Sequence, residues 1–375
     1  MSESKGQAPS SSRPRICKYF EATVKMGASD LHFKADAQPR VRLRGGLKAL
    51  KGDPLENEKI EKMLFEIMSD EHKTQYADNG STDFSYQMDP DNRFRINIFR
   101  QRGLTSMAAR HIPKNILSLD ELHLPQSMED IAEYHQGLIL VSGITGSGKS
   151  TTIASIIELI NKSRTNHIVT LEDPIEFMFE DKKSFINQRE IGQDVADFHQ
   201  ALKYLMREDP DVVLIGELRD KETFEAALHA AESGHLVFGT VHAANTSSTI
   251  TRVLELFPEQ SRNLVRSSLV FNLRAVVCLK LLKGIQPEIP RIPAVEIMII
   301  NASVRKMIAD KRENELLGVI RNSYHEGMRD FTESLRLLVE GERISSQTAY
   351  EAAPNPEELR MRLKGISVGG GGIIG

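Results

Sequence analysis

Residues 138–150 read LILVSGITGSGKS, and this stretch decides the fold. The apolar run 138–141 predicts a buried strand, and the pattern GxxxxGK[ST] follows it from Gly143 to Ser150. A helical spacing of apolar residues then begins at Ile153. A strand, a glycine-rich loop and a helix in this order are typical of a P-loop, in which backbone N–H groups curve around phosphate at the start of the helix.

The P-loop pattern also predicts what the loop binds. Its lysine, Lys149, is expected to reach the β- and γ-phosphates, and the hydroxyl of Ser150 is expected to bind Mg²⁺. ATP and Mg²⁺ are therefore the predicted cofactors. A structural glycine-rich turn with an incidental lysine is the alternative. The predicted nucleotide-binding residues of the loop are Gly143, Thr145, Gly146, Ser147, Gly148, Lys149, Ser150 and Thr151.

The sequence after the P-loop alternates between apolar runs and helical patterns. The runs 167–171, 212–215 and 236–241 resemble 138–141, and a candidate helix follows each of these runs. A further apolar run covers 276–282. Near-continuous apolar strands of this kind favour a parallel sheet that is covered by helices on both faces. The sequence therefore predicts an α/β domain.

The residues before about 112 follow a different pattern. A short amphipathic segment covers 17–25. Alternation predicts strands at 29–33 and 40–44, apolar residues at helical spacing predict a helix at 57–68, and 83–87 with 93–99 are predicted to form a hairpin. A small α+β domain is therefore expected. The predicted organisation is a disordered tail (1–14), an N-terminal domain (15–111), a linker (112–122), an α/β domain with C-terminal helices (123–365) and a flexible glycine-rich tail (366–375).

Three polar residues stand just past apolar runs of the α/β domain. Glu172 follows 167–171, Glu217 comes shortly after 212–215, and His242 follows 236–241. Hydrolysis of a nucleotide needs acids at neighbouring strand ends, where they hold Mg²⁺ and orient water. One such acid is common by chance, but three such strand ends in order after a P-loop are not. His242 is predicted to sense the γ-phosphate, with a structural hydrogen bond as the alternative.

Composition excludes several classes of protein. The 375 residues have a formal net charge of −4 and no dominant basic block, which argues against a general nucleic-acid binder. Two distant cysteines, Cys17 and Cys278, exclude a zinc ribbon and a disulfide framework. The sequence shows no apolar run of transmembrane length and no signal peptide. A cytoplasmic location is therefore predicted, with membrane association through partners.

Four motifs occur in an order that resembles a known family. They are TGSGKSTT (145–152), TLEDPIEF (170–177), REDPD with GELRD (207–220) and GHLVFGTVH (234–242). They resemble the Walker A, Asp box, Walker B and His box of the secretion ATPases, and specifically of the PilT family of twitching-motility retraction ATPases. The resemblance runs from about 27 to about 338. It implies a RecA-like P-loop NTPase domain preceded by a smaller α+β, PAS-like domain.

The resemblance also implies roles for the strand-end residues. Glu172 looks like the catalytic glutamate that polarises the attacking water, and Glu217 looks like the Walker B acid near Mg²⁺. His242 looks like the His-box contact to phosphate, and His235 resembles a further one.

Two arginines of the N-terminal domain match family positions that reach a nucleotide in a site shared between subunits. They are Arg95 and Arg110. The hairpin periodicity alone favours a solvated face for them, and the resemblance favours the nucleotide contact. An arginine that meets charge on the transferred phosphoryl group accelerates hydrolysis by roughly 10³–10⁵ in other NTPases.

The partners implied by the resemblance are a homohexamer and an inner-membrane pilus platform protein, with peripheral attachment to the inner membrane through the pilus machinery. The implied function is ATP-driven retraction of type IV pili. An accessory retraction ATPase of the PilU type, a pilus-extension or type II secretion ATPase, and a non-catalytic nucleotide-gated scaffold are the alternatives. The segment 302–308 keeps only part of the family's AIRNLIRE motif, which is tied to retraction. Extension relatives usually carry a four-cysteine zinc insertion, which two cysteines cannot form.

Overall fold

The computed structural model describes residues 13–43, 45–112 and 114–366. The chain divides into two compact units, Met1–Lys114 and Asn115–Gly375. No helix among the described residues combines the length and the apolar character needed to span a bilayer. Each unit has a sheet and a hydrophobic core of its own.

Two predicted segments fall almost wholly outside the described residues. The predicted tail 1–14 is described only at 13–14, and the predicted tail 366–375 only at Ile366. Both predictions therefore lie outside the described part of the chain. The boundary between the two units, after Lys114, falls within the predicted linker 112–122.

The first unit is an antiparallel sheet with helices. In its described part the strands are β1 (Asp30–Lys34), β2 (Arg40–Leu43), β3 (Gly46–Ala49), β4 (Ser81–Asp89), β5 (Asn92–Gln101) and β6 (Leu104–Ile112), and the helices are α1 (Cys17–Lys25), α2 (Asn57–Phe65) and α3 (Asp70–Asn79). The strand order is β3-β2-β1-β6-β5-β4, and every neighbouring pair is antiparallel. Phe20, Phe33 and Phe94 are buried in its core.

The predicted elements of this unit are present, and three others were not predicted. The hairpin is formed by β4 and β5, and Gly45, with φ +86°, turns the chain from β2 into β3. Sequence analysis did not predict β3, β6 or α3. Helix α3 reads DEHKTQYADN and buries only Tyr76, so it has no apolar stripe to detect.

The second unit alternates strands and helices. In its described part the strands are β7 (Gly137–Ser142), β8 (His167–Glu172), β9 (Phe185–Glu190), β10 (Val212–Ile215), β11 (Leu236–Val241), β12 (Leu273–Lys283) and β13 (Arg291–Ile299). The α-helices are α4 (Ser127–Ala132), α5 (Lys149–Ser163), α6 (Phe198–Leu205), α7 (Lys221–Glu232), α8 (Thr246–Glu255), α9 (Glu259–Asn272), α10 (Ala302–Ala309), α11 (Leu316–Asn322), α12 (Phe331–Glu340), α13 (Ser346–Ala352) and α14 (Pro356–Leu363).

These strands form one sheet in the order β13-β12-β7-β11-β10-β8-β9. All neighbouring pairs are parallel except β12 with β13, which is antiparallel. Side chains of β7 alternate between two cores, with Leu138 and Leu140 in one and Ile139 and Val141 in the other. The sheet is therefore covered on both faces, and the predicted α/β fold class is confirmed.

Two strands of this sheet were not predicted. Strand β9 reads FINQRE at the sheet edge, where polar residues are tolerated, so it lacks the apolar run used for the other strands. Strand β13 pairs with β12 as a hairpin. The prediction of a helix directly after 167–171 is wrong. Strand β9 follows β8 along the chain, and the next helix, α6, begins only at Phe198.

Candidate active site

The P-loop connects β7 to α5 at the carboxyl edge of the parallel strands. Its first glycine, Gly143, has φ +145°, and a Cβ there would overlap Ser147 Oγ and lie 2.6 Å from the Leu279 carbonyl oxygen. Gly148 precedes α5 with φ +98°, in the left-handed region that favours glycine. The shape of the loop therefore depends on glycine at both of these positions.

The Lys149 ammonium group lies over the loop. Its Nζ donates to the carbonyl oxygens of Gly143 at 3.0 Å and Ile144 at 3.2 Å. Burial lowers the pKa of Lys149 below its ordinary value, and the carboxylates of Glu217 and Glu176 oppose that shift. The structure thus brings the P-loop lysine within electrostatic range of the predicted Walker B acid.

Two features of the loop fit an anionic ligand. Ser147 is buried, and its Oγ has no hydrogen-bond partner among the described residues. Helix α5 begins at Lys149 with no acidic residue in its first turn, so its free N–H groups and positive end are available to phosphate. Thr145 and Gly146 are exposed in the loop, and Ser150 and Thr151 are half-buried in the first turn of α5.

Glu172 is the last residue of β8, and its carboxylate is buried. It accepts hydrogen bonds from Thr170 Oγ1 at 2.7 Å, Gln188 Nε2 at 3.2 Å and the Glu176 N–H at 3.4 Å. Burial raises the pKa of Glu172 to about 7, although these hydrogen bonds lower it. A carboxyl group that titrates near neutral pH has the proton affinity that a general base needs.

Two residues that hold Glu172, Thr170 and Gln188, were not predicted from the sequence. Thr170 lies two positions earlier on β8, so both side chains point to the same face of the strand. That spacing could have indicated it. Gln188 lies on β9, in register with Thr170. Because β9 itself was not predicted, no signal in the sequence placed Gln188 beside Glu172.

Glu217 lies between a histidine and an arginine. His242 Nε2 is 3.3 Å from Glu217 Oε1, and an Arg219 guanidinium nitrogen is 2.8 Å from Glu217 Oε2. The Gly216 N–H donates to the Leu171 carbonyl oxygen at 2.8 Å, which holds the start of this loop against the end of β8. The structure therefore brings Glu217 and His242 together, and it adds Arg219, which was not predicted.

His235 lies at the opposite edge of the sheet. It precedes β11, and its carbonyl oxygen accepts from the Gly137 N–H at 2.9 Å, at the amino end of β7. The six residues of β11 separate it from His242, a distance of roughly 20 Å along a strand. His235 therefore lies away from the P-loop of its own chain, and its contact with a nucleotide stays a prediction. His235 Nδ1 lies 2.9 Å from the Ala230 carbonyl oxygen.

Arg95 and Arg110 lie side by side in the first unit. They are directly paired residues of β5 and β6, and both are exposed. Arg110 Nε donates to Asp30 Oδ1 at 3.0 Å. Burial opposes ionisation of Asp30, but hydrogen bonds from Ser29 and Arg110 lower its pKa below the ordinary value. Paired like charges repel each other, so this place suits an anion. The pair is also compatible with a solvated hairpin face.

The side chains of Ser150 and Glu217 have the chemistry of a Mg²⁺ site. The described residues contain no group of three or more His, Cys, Asp or Glu side chains arranged for a metal. Mg²⁺ at a nucleotide needs fewer protein ligands, because phosphates and water supply most of its oxygen atoms. One hydroxyl and one carboxylate near a P-loop therefore fit this ion. The Glu217 carboxylate is close enough to Lys149 to raise the pKa of its ammonium group, which agrees with that use.

Comparison with known proteins gives consistent matches. The family model described as "Type II/IV secretion system protein" matches residues 8–289. The type IV pilus retractation ATPase PilT of Pseudomonas aeruginosa is 38% identical over 92% of this chain and 99% of its own length. The type IV pilus ATPase PilU of the same organism is 32% identical over 92% of this chain and 91% of its own length. A crystal structure of the pilus retraction motor PilT with bound ADP superposes with a TM-score of 0.84, at 42% identity over 92% of this chain and 98% of that one.

Proposed function

The chain belongs to the family of type II/IV secretion system proteins, and we propose that it is an ATP-hydrolysing motor that powers retraction of type IV pili. The observation that carries the proposal is one edge of the sheet, where the P-loop, Glu172, Glu217 and His242 lie at the carboxyl ends of β7, β8, β10 and β11. A nucleotide-gated scaffold would need only the P-loop. Relatives named for pilus retraction match most of the chain, which supports the cellular role.

Binding of ATP is assigned to the P-loop. Backbone N–H groups of the loop and of the first turn of α5 bind phosphate oxygens. Lys149 exchanges its two carbonyl partners for oxygens of the β- and γ-phosphates, a stronger, charge-assisted interaction. Mg²⁺, held through Ser150 and Glu217, would neutralise charge on the phosphates.

Hydrolysis is assigned to the acids at the strand ends. Glu172 orients the attacking water and accepts its proton, and its hydrogen bonds from Thr170 and Gln188 fix the direction of the carboxylate. His242 contacts the γ-phosphate from the end of β11. Its contact with Glu217 keeps the imidazole beside the metal-binding acid.

The second half of each site comes from a neighbouring subunit. We propose a homohexamer in which Arg95 and Arg110 of one subunit meet the nucleotide bound by the next. Arginines in that place stabilise the charge that develops on the transferred phosphoryl group. Binding and hydrolysis would then close and open the interfaces in turn, which converts chemical energy into movement.

The motor is proposed to act in the cytoplasm, attached peripherally to the inner membrane through the pilus machinery. Its direct partner is an inner-membrane pilus platform protein. No nucleic-acid partner is proposed, because a chain with a formal net charge of −4 offers no general attraction to a phosphate backbone.

The pH dependence of hydrolysis tests the role of Glu172. Only the ionised carboxylate accepts a proton, so kcat/KM for ATP is expected to rise with pH through about 7 and to level off above it. The Thr170→Val variant removes a hydrogen bond that lowers this pKa. Its profile is expected to move to higher pH by roughly one unit. Both profiles are measured by steady-state phosphate release.

This comparison removes the titration of ATP itself, because ATP is the same in both reactions. A Thr170→Ser variant keeps the hydroxyl donor and serves as the control, with its midpoint expected at the wild-type pH. Identical midpoints for Thr170→Val and the wild type would contradict the assignment of the titration to Glu172.

Deletion of the gene tests the direction of pulling. A cell without its retraction motor keeps extending pili, so electron microscopy is expected to show excess surface pili and motility assays a loss of twitching. Complementation with the wild-type gene should restore both. Deletion cells without surface pili would contradict a role in retraction and would indicate a role in pilus extension.

The accessory retraction ATPase is a second candidate, because the PilU relative also matches over 92% of the chain. An accessory motor would act together with another retraction ATPase. Deletion would then weaken retraction force while leaving unloaded retraction largely intact, which optical-trap measurements of single pili distinguish from a full loss.

A further inference from the structure

Glu296 is a buried carboxylate at the carboxyl edge of the sheet, and the steps above give it no role. It lies within the apolar stretch IPAVEIMI of β13 and is 4% exposed. On the sheet it pairs with Cys278 of β12, and Cys278 pairs with Ser142 of β7. Because Ser142 immediately precedes Gly143, Glu296 lies two strands away from the start of the P-loop.

The carboxylate of Glu296 accepts hydrogen bonds from the starts of two helices. Its Oε1 accepts from the N–H and the hydroxyl of Thr246, at 2.8 and 2.9 Å, and Thr246 is the first residue of α8. Its Oε2 accepts from the N–H of Phe331, the first residue of α12, at 3.4 Å. A helix start carries free N–H donors and partial positive charge, so one carboxylate fixes both helices.

Helix α8 carries the loop that contains His242. Only residues 242–245 connect β11 to α8, and Asn245 is the N-cap of the helix. Thr249 Oγ1 lies 2.9 Å from Ser142 Oγ and 2.8 Å from the Asn245 carbonyl oxygen. The start of α8 is therefore hydrogen-bonded both to β13 and to β7, the strand that precedes the P-loop. These contacts restrict the movement of the loop that contains His242.

We propose that Glu296 is a positioning residue for His242, because it fixes the start of α8 and thereby the place of His242 beside Glu217. The inference rests on the proposed function of His242. Glu296 is the acceptor in all three of its hydrogen bonds. The site therefore needs a side chain with two acceptor oxygens and no donor. Glutamine has the same shape, but its NH₂ group is a donor. At one of the two helix starts it would face the N–H donor of the helix, and the hydrogen bond there would be lost.

A double-mutant cycle tests this proposal in the full chain. Glu296→Gln is expected to lower kcat for ATP hydrolysis about tenfold, with KM for ATP changed less than about twofold, because a small misplacement of His242 impairs the chemical step more than binding. In a His242→Ala background the same change is expected to lower kcat by less than about twofold. Glu288→Gln makes the same substitution at an exposed loop position and is the matched control.

A second measurement does not depend on residual activity. Hydrogen–deuterium exchange of peptides covering 242–250 is expected to accelerate in Glu296→Gln and to stay at the wild-type rate in Glu288→Gln. Thr246→Val removes one donor to Glu296 and should reproduce the loss in kcat, whereas Thr246→Ser keeps the hydroxyl and should keep the wild-type kcat.

Two outcomes overturn the proposal and separate it from the proposed function. If Glu296→Gln lowers kcat by the same factor with and without His242, or leaves exchange at 242–250 unchanged, the positioning role is rejected while the assigned site stands. If His242→Ala alone hydrolyses ATP at the wild-type rate, the function assigned to His242 is rejected, and the positioning role falls with it.

Discussion

Replacing Lys149 with alanine is expected to abolish productive ATP binding, with kcat/KM for hydrolysis falling at least about 100-fold. The Lys149 ammonium group donates to two carbonyl oxygens of the loop at the start of α5, where we propose that the phosphates bind. Alanine keeps the helix but removes the only side-chain cation of the loop. Equilibrium binding of a fluorescent ATP analogue and steady-state phosphate release measure the two parts of the effect.

The matched control is Lys162→Ala, in the last turn of the same helix, where the lysine is half exposed and pairs with Glu158. This change is expected to leave binding and turnover within about twofold of the wild type, because Lys162 lies far from the P-loop and the buried Glu158 keeps its ion pair with Lys182. Tight nucleotide binding by Lys149→Ala would contradict the P-loop assignment.

Replacing Glu172 with glutamine is expected to separate binding from hydrolysis. Glutamine has the same shape and can keep part of the hydrogen bonding with Thr170 and Gln188, but it cannot accept a proton from water. We expect kcat to fall at least about 100-fold, while the dissociation constant for ATP stays within about threefold of the wild type. Single-turnover hydrolysis with bound ATP isolates the chemical step.

Glu288→Gln is the control for this substitution as well, since it removes one carboxylate at an exposed loop position. It is expected to hydrolyse ATP at the wild-type rate. If the Glu172→Gln protein hydrolysed ATP at the wild-type rate, Glu172 would not be the base. Glu217 would then be the remaining candidate among the acids at the strand ends.

The P-loop and the strand-end residues could be predicted because their signals are local. The loop around Gly143 is identified by neighbouring residues alone: the apolar run 138–141 before it, the spacing of its glycines, and the helical spacing of apolar residues after it. The places of Glu172, Glu217 and His242 in the fold could be predicted for the same reason, since each comes shortly after an apolar run. Parallel pairing then places all of these strand ends at one edge of the sheet.

The features that could not be predicted depend on tertiary structure. His235 and His242 are seven positions apart in the sequence, but β11 between them puts them at opposite edges. Strand β9 has no apolar run because it lies at the edge, so Gln188 could not be placed. Glu296 did carry a signal, a lone charge inside an apolar strand, but its partners Thr246 and Phe331 are brought to it only by the fold.

The most direct test of the central claim is live-cell imaging of fluorescently labelled pili in cells whose only copy of the gene carries Glu172→Gln. We expect the Glu172→Gln cells to extend pili but to retract them rarely, whereas Glu288→Gln cells extend and retract pili like the wild type. Glu172→Gln cells that fail to extend pili, or that retract them at the wild-type frequency, would contradict the proposed function.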